Sequence, residues 1–105
     1  MLLLAWPFAL TANVPARPGD LPALCENAAR DAAKLTGVPA EVLLTIALTE
    51  TGRRTPGDRQ LRPWPWTVNQ GGDGQWFATR EEALAHAAAA LEAGKRNLDL
   101  GCFQL

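Results

Sequence analysis

Apolar positions recur with a helical period in three stretches of the chain. In LPALCENAARDAAKLTG, Leu24, Ala28, Ala32 and Leu35 fall on one helix face, with Asp20 as a suitable N-cap, Pro22 tolerated in the first turn and Gly37 as a left-handed stop. Pro39 opens a second helix, where its missing N–H costs nothing. Val42, Leu43, Ile46 and Ala47 form its apolar face, and Leu44, Thr45, Leu48 and Thr49 leave it almost no polar one, so burial nearly all round is expected before Gly52 ends it. Thr79 and Glu82 carry the capping-box spacing of a third helix, which runs through Ala83, Leu84, Ala87 and Leu91 to Gly94, with an alanine run that lets a neighbour approach closely.

Between these helices the period changes. RRTPGDRQLRPWPW is loop by its prolines and glycine, and WTVNQGGDGQWF places β-favouring runs at 66–68 and 75–77 around Gly71, Gly72 and Gly74, the pattern of a short hairpin. GGDG has neither a following Walker lysine nor a calcium ligand set, so it reads as a glycine turn. In the closing NLDLGCFQL, Asp99 is predicted to cap a fourth helix beginning around Gly101, of which only a few residues are present. The expected fold class is therefore mainly α with a short β-hairpin, in a domain cut short at its C-terminal end.

Against that pattern Glu50, in ALTETGRRTPG, is oddly placed. The C-terminal end of a helix carries partial negative charge and disfavours a carboxylate by about 0.3–1 kcal/mol. Apolar neighbours disfavour the charged form as well, and a carboxyl that keeps its proton is what a general acid needs. A Glu50 that faces solvent, or pairs with Arg53 or Arg54, is the competing reading.

Length and composition narrow the classes. A chain of 105 residues, 48% hydrophobic and 20% charged, holds one domain with a modest core. Its net charge of −1, with Lys and Arg spread along the chain, leaves no basic surface for nucleic acid. Residues 1–16, MLLLAWPFALTANVPA, contain an apolar run too short to span a bilayer, followed by small residues in the pattern of a cleavage site, and read as an export signal despite lacking a basic start. Export favours pairing of the two cysteines, Cys25 and Cys102, although Cys is also a common small buried hydrophobe. His86, the single histidine, has no partner at metal-ligand spacing and reads as a helix-surface or helix-contact residue. Trp64, Trp66 and Trp76 fit either a packed small core or a platform for the apolar CH faces of sugar rings.

Three segments in order, ALTETG, RPWPWTVNQGGDGQWF and LGCFQL, resemble the lytic transglycosylase catalytic domain over residues 21–105. In that family an E-S-G motif carries the catalytic Glu and a G-x-x-Q-[IL] motif lines the cleft; the Trp-Pro hairpin is similar to an insertion in one branch of these exported enzymes. The resemblance implies a lysozyme-like helical fold in which residues 17–105 form the N-terminal part of such a domain. It implies that Glu50 protonates the glycosidic oxygen between N-acetylmuramic acid and N-acetylglucosamine, then acts as base while the muramoyl C6 hydroxyl attacks C1 and forms a 1,6-anhydro end. One carboxyl serves both steps, whereas a two-carboxylate hydrolase needs a second at about 5 to 9.5 Å. By the same resemblance Gln104 hydrogen-bonds an N-acetyl or hydroxyl group, Phe103 packs near the glycan, and Thr51, where the family has Ser, keeps a hydroxyl beside Glu50 and counts among the substrate-binding residues; of the indoles, Trp76 is the one expected to border the ligand. Cys102 would tie the motif turn to Cys25 in the first helix.

The resemblance also implies a peptidoglycan partner, a periplasmic or secreted monomer without metal or cofactor, and service to an envelope secretion or conjugation apparatus. The chain has no Tyr, although the family supplies one beyond the Gln motif. Competing readings are a wall-binding module without catalysis, with the tryptophans holding glycan and Glu50 structural, and a disulfide-stabilised inhibitor or interaction domain.

Overall fold

The computed structural model describes residues 20–55, 57 and 59–105, so the export signal expected over 1–16 lies outside the described residues. Helix α1 (Pro22–Thr36) begins with Pro22 in its first turn and ends at Gly37, whose φ of 76° lets its N–H bond the Ala33 carbonyl. Leu21, not Asp20, is the N-cap, because the Asp20 carboxylate is drawn to Arg62 at 3.1 Å. The buried side of α1 is also rotated by one position from the expected face. Cys25 and Ala29 are fully buried, whereas Leu24 is exposed and Leu35 is 88% exposed. The cause is covalent: Cys25 is bonded to Cys102, 77 residues away with a Cα–Cα distance of 5.5 Å, and the helix must turn that side inward.

Helix α2 (Ala40–Thr51) packs against α1 and buries only Ala47 and Thr51. Val42, Ile46 and Leu48 are exposed, so the expectation of burial nearly all round does not hold. Hydrophobic composition sets what a helix gains on being covered, but among the described residues the neighbours of α2 meet one side of it.

Strands β1 (Thr67–Gln70) and β2 (Asp73–Trp76) form the expected hairpin, with Gln70 opposite Asp73. Gly71 and Gly72 turn it with φ of 59° and 93°; two successive positive values suit the right-handed strand twist and fall naturally to glycine. Helix α3 (Arg80–Glu92) starts at a complete capping box. The Thr79 hydroxyl accepts from the Glu82 N–H at 3.1 Å, and the Glu82 carboxylate accepts from the N–H of Thr79 at 3.3 Å. Its buried Ala83 and Ala87 face the sheet, where Val68 of the central strand is 1% exposed.

The fourth helix expected near Gly101 is absent from its place. Leu98–Leu100 is instead strand β3, antiparallel to β1, with Asp99 opposite Asn69 and Leu100 opposite Val68. Asp99 is thus a mid-strand residue. Leu-Asp-Leu has the two-residue period of a strand, and β1 offers it the unpaired backbone of its second edge. The described chain is accordingly mixed α/β, about half helical with a three-stranded sheet of order β2-β1-β3, rather than mainly α. Among the described residues no helix is long and apolar enough to cross a membrane.

Between α2 and β1 the chain is closed by reciprocal backbone bonds of Arg53 and Arg62, 2.9 Å and 3.1 Å. The Arg62 side chain then reaches α1: Nε donates to Glu26 at 2.9 Å, beside the Asp20 contact. Partial burial works to lower the pKa of Arg62, but the hydrogen bonds and charges of Glu26 and Asp20 outweigh it and leave the pKa raised.

Removing the disulfide by a paired Cys25→Ala and Cys102→Ala change is expected to lower stability by up to about 4 kcal/mol, since the bridge closes most of the described chain into one loop. Urea unfolding of wild type and double variant measures it; a loss below about 1 kcal/mol would show that the surrounding hydrogen bonds already hold the turn to the helix.

Candidate functional site

The end of α2 is organised around one side chain. Thr51 is fully buried, and its Oγ1 lies 3.0 Å from both the Ala47 and the Cys102 carbonyl oxygens while accepting the Trp64 N–H at 3.1 Å. One hydroxyl proton is shared by the two carbonyls, and the oxygen takes the amide. Three segments distant in sequence therefore meet on a single atom: the helix end, the Pro-Trp loop and the C-terminal turn. The next residue has to be small as well, because a Cβ at Gly52 would collide with the Leu48 carbonyl oxygen, which already accepts the Gly52 N–H at 2.9 Å.

Two indoles are fixed beside this junction. Trp76 Nε1 donates to the Thr51 carbonyl at 3.2 Å, and Trp64 Nε1 donates to the Phe77 carbonyl at 2.7 Å. The Trp64 backbone is held in turn, its carbonyl accepting the Thr67 hydroxyl at 2.8 Å. The Arg53 guanidinium lies over both rings, 4.8 Å from the Trp64 centroid and 5.6 Å from that of Trp76. Trp76 remains 45% exposed, so indole surface is available next to the helix end.

The third segment at the Thr51 hydroxyl, residues 101–104, forms a turn. Gly101 donates to the Thr67 carbonyl at 2.9 Å, and Leu100 and Leu105 exchange backbone bonds at 2.9 Å and 3.3 Å. Gln104 adopts φ of 54°, uncommon for a residue with a side chain, and its amide nitrogen donates to the Gly101 carbonyl at 3.0 Å and the Thr67 carbonyl at 3.4 Å. Phe103 is half-buried.

The expected residues thus separate into those brought together and those turned away. Thr51, Trp76 and the Cys102-Phe103-Gln104 turn form one connected region. The Thr51 hydroxyl is wholly internal, so it is a structural joint and not a ligand-facing group. Glu50 is exposed on the last turn of α2, and among the described residues its carboxylate has no hydrogen bond or ion pair. Of the readings left open for Glu50, the solvent-facing one holds; among the described residues it is paired with neither Arg54 nor Arg53, whose guanidinium lies over the indoles. His86 is a helix-contact residue, half-buried with its ring 5.0 Å from that of Phe77.

Two cavities lie elsewhere. An apolar one of about 140 Å³ sits between α3 and the sheet, lined by Trp66, Val68, Leu84 and Leu100 among others, and a more polar one of about 280 Å³ has His86, Gln70, Asp73 and Lys95 on its walls. Neither is lined by Glu50 or Gln104; the candidate site is the region at the end of α2, where Glu50 and Trp76 are exposed. Among the described residues no group of three or more His, Cys, Asp or Glu side chains is arranged to hold a metal ion. By sequence Arg53 is only a candidate partner of Glu50; a cation beside a Trp- and Pro-rich loop was the signal for its place over the indoles. Compared with protein-family models, curated proteins and solved structures, the chain matches none.

Thr51→Val keeps the shape of the side chain but removes the joint, leaving the Trp64 N–H and the Cys102 carbonyl without this partner. A loss of about 1–3 kcal/mol in urea unfolding is expected, with Thr51→Ser losing less because the hydroxyl remains. A larger loss for Ser than for Val would mean that the methyl group's packing, not the hydrogen bonds, holds the junction.

Proposed function

We propose that the chain is a peptidoglycan lytic transglycosylase working outside the cytoplasm, with Glu50 as acid and then base on the bond between N-acetylmuramic acid and N-acetylglucosamine. The observation that carries this reading is the Thr51–Cys102 contact: the helix end bearing Glu50 and the turn bearing Gln104 are joined by a hydrogen bond as well as lying beside the Cys25–Cys102 bridge. Two motifs about fifty residues apart in sequence thereby meet at one junction, which supports assigning both to a shared cleft. The disulfide supports export, since such bonds persist in oxidising compartments. A helical unit beside a small antiparallel sheet suits a lysozyme-like arrangement, which is the finer form of this proposal.

In this mechanism the Glu50 carboxyl gives its proton to the glycosidic oxygen as the C1–O bond breaks. The resulting carboxylate takes the proton of the muramoyl C6 hydroxyl, whose oxygen bonds to C1. Acid and base return to their starting state, and no water is consumed. Trp76 offers its exposed indole to the CH face of an adjoining sugar, and Phe103 and Gln104 meet the glycan from the C-terminal turn. The Gln104 side-chain carbonyl is its group for a sugar hydroxyl or N-acetyl N–H, since the amide nitrogen is engaged within its own turn.

Glu50→Gln is expected to lower release of 1,6-anhydromuropeptides from purified sacculi by roughly 10²–10⁴-fold or more, with unfolding unchanged because the side chain is exposed and has no partner among the described residues. Chromatography of the released fragments checks it. Reducing muramic ends in the wild-type digest would reassign the chain as a hydrolase. Sacculus binding that survives Glu50→Gln, fails with Trp76→Ala and comes with no turnover in wild type would make it a wall-binding module instead.

A further inference from the structure

Two arginines share a backbone bridge and are used in opposite ways. Arg62 meets its charge with Glu26 and Asp20, while Arg53 meets none: among the described residues its guanidinium has no carboxylate partner and rests over Trp64 and Trp76. The stack is well determined. The Arg53 backbone is bonded at both N–H and C=O to Arg62, and each indole is oriented by its own N–H bond, Trp64 to Phe77 and Trp76 to Thr51. Aromatic faces attract a guanidinium through its plane and leave the N–H edge, the part that recognises a carboxylate in a fork, available. Arg53 is half-buried, so it has given up part of its hydration without gaining a counter-charge from the protein.

Taking the wall-glycan reading above as the source of the ligand, we propose that Arg53, held over the rings of Trp64 and Trp76 three positions beyond Glu50, is a carboxylate-recognition residue that selects acidic wall polymer over neutral glycan. Wall polymer offers carboxylates from two sources, the peptide stem and the lactyl group uncovered when the stem is removed. A carboxylate on Arg53 completes the charge pairing that Glu26 and Asp20 complete on Arg62. It also places the sugar bearing it over the exposed indole of Trp76, so one contact fixes both the charge and the register of the strand relative to Glu50. Lys cannot replace it fully, because an ammonium has no plane to lie on two rings and no fork to meet two oxygens.

The test uses the full chain as wild type, Arg53→Gln and Arg53→Lys, titrated with a free acidic stem peptide, stem-free glycan carrying lactyl carboxylates, and a neutral chitooligosaccharide. Affinity is read from the indole N–H resonances of Trp64 and Trp76. Arg53→Gln is expected to weaken at least one of the two acidic ligands by about tenfold or more, the size of a charge-assisted pair, with Arg53→Lys intermediate and neutral glycan changed less than about twofold. Whichever acidic ligand responds identifies the source of the carboxylate. Equal losses on acidic and neutral ligands would overturn the proposal, leaving Arg53 as a prop for the indoles, and so would no loss on either acidic ligand.

The two readings fail separately. Arg53-dependent binding of the stem peptide without any glycan binding keeps the carboxylate site and defeats the wall-glycan reading, whereas glycan binding and turnover indifferent to Arg53 does the reverse. Should Arg53→Gln unfold, wild-type salt dependence decides together with Arg53→Lys. Acidic ligands must then weaken with added salt while the neutral one does not, and salt-independent acidic binding overturns the proposal.

Discussion

One buried hydroxyl carries most of the geometry at the candidate site. At Thr51 Oγ1, α2, the Pro-Trp loop and the C-terminal turn share one atom, and each of those contacts spans a different sequence separation. A polar group fully out of water is costly unless it is satisfied, and here satisfaction itself enforces the arrangement: moving any one segment leaves a buried amide or carbonyl unpaired. The Cys25–Cys102 bond acts on the neighbouring atoms of the same turn, so covalent and polar constraints converge on Cys102. Gly52 follows necessarily, because the chain leaves the helix so closely over Leu48 that no side chain fits.

From this junction the rest of the surface is built outward. The Thr51 carbonyl, one of the orphan acceptors at a helix end, takes the Trp76 indole N–H, and this couples the β-hairpin to α2. Trp64, anchored by its backbone to the Thr51 hydroxyl and by its ring to Phe77, sets the other side of the slot in which Arg53 lies. The Arg53–Arg62 bridge keeps the loop from swinging, with Arg62 clamped to α1. Small residues and hydrogen bonds, more than bulky apolar packing, hold the site, in keeping with a core whose largest fully buried side chains are Val68, Thr51 and Cys25.

Features with a local cause were legible in the sequence. Gly37, the Thr79–Glu82 capping box and the Gly71–Gly72 turn each declare an element boundary through backbone chemistry that needs no distant partner, and all three are as expected. What depended on distant partners was not. The rotation of α1 follows from a bond to Cys102, the loss of Asp20 as a cap from the pull of Arg62, and the strand at Leu98–Leu100 from an open edge of β1, where local pattern suggested a cap at Asp99. Glu50 shows the same division: its place in the last turn of α2 was readable, but its exposure depends on what covers that helix, which periodicity does not encode. Thr51 was visible as a hydroxyl beside Glu50, yet its direction was inverted, since an internal hydrogen bond and a ligand contact have the same signature in sequence.

The helix end also bears on how Glu50 could work. An isolated helix would present a cluster of free carbonyls to the carboxylate, but here the Leu48 carbonyl accepts from Gly52 and the Thr51 carbonyl from Trp76, so part of that negative field is already neutralised. Burial does not supply the missing desolvation, because the side chain is exposed. For Glu50 to serve as a general acid, water must therefore be displaced by the ligand itself, and the group best placed to seat a ligand there is the exposed indole whose N–H is bound to the same helix end. Binding and proton transfer would then share one structural support. Disturbing Trp76 would alter the hydrogen bond at the end of α2 as well as the platform, so its effect on turnover would exceed its effect on binding, whereas a change at Glu50 would touch turnover alone.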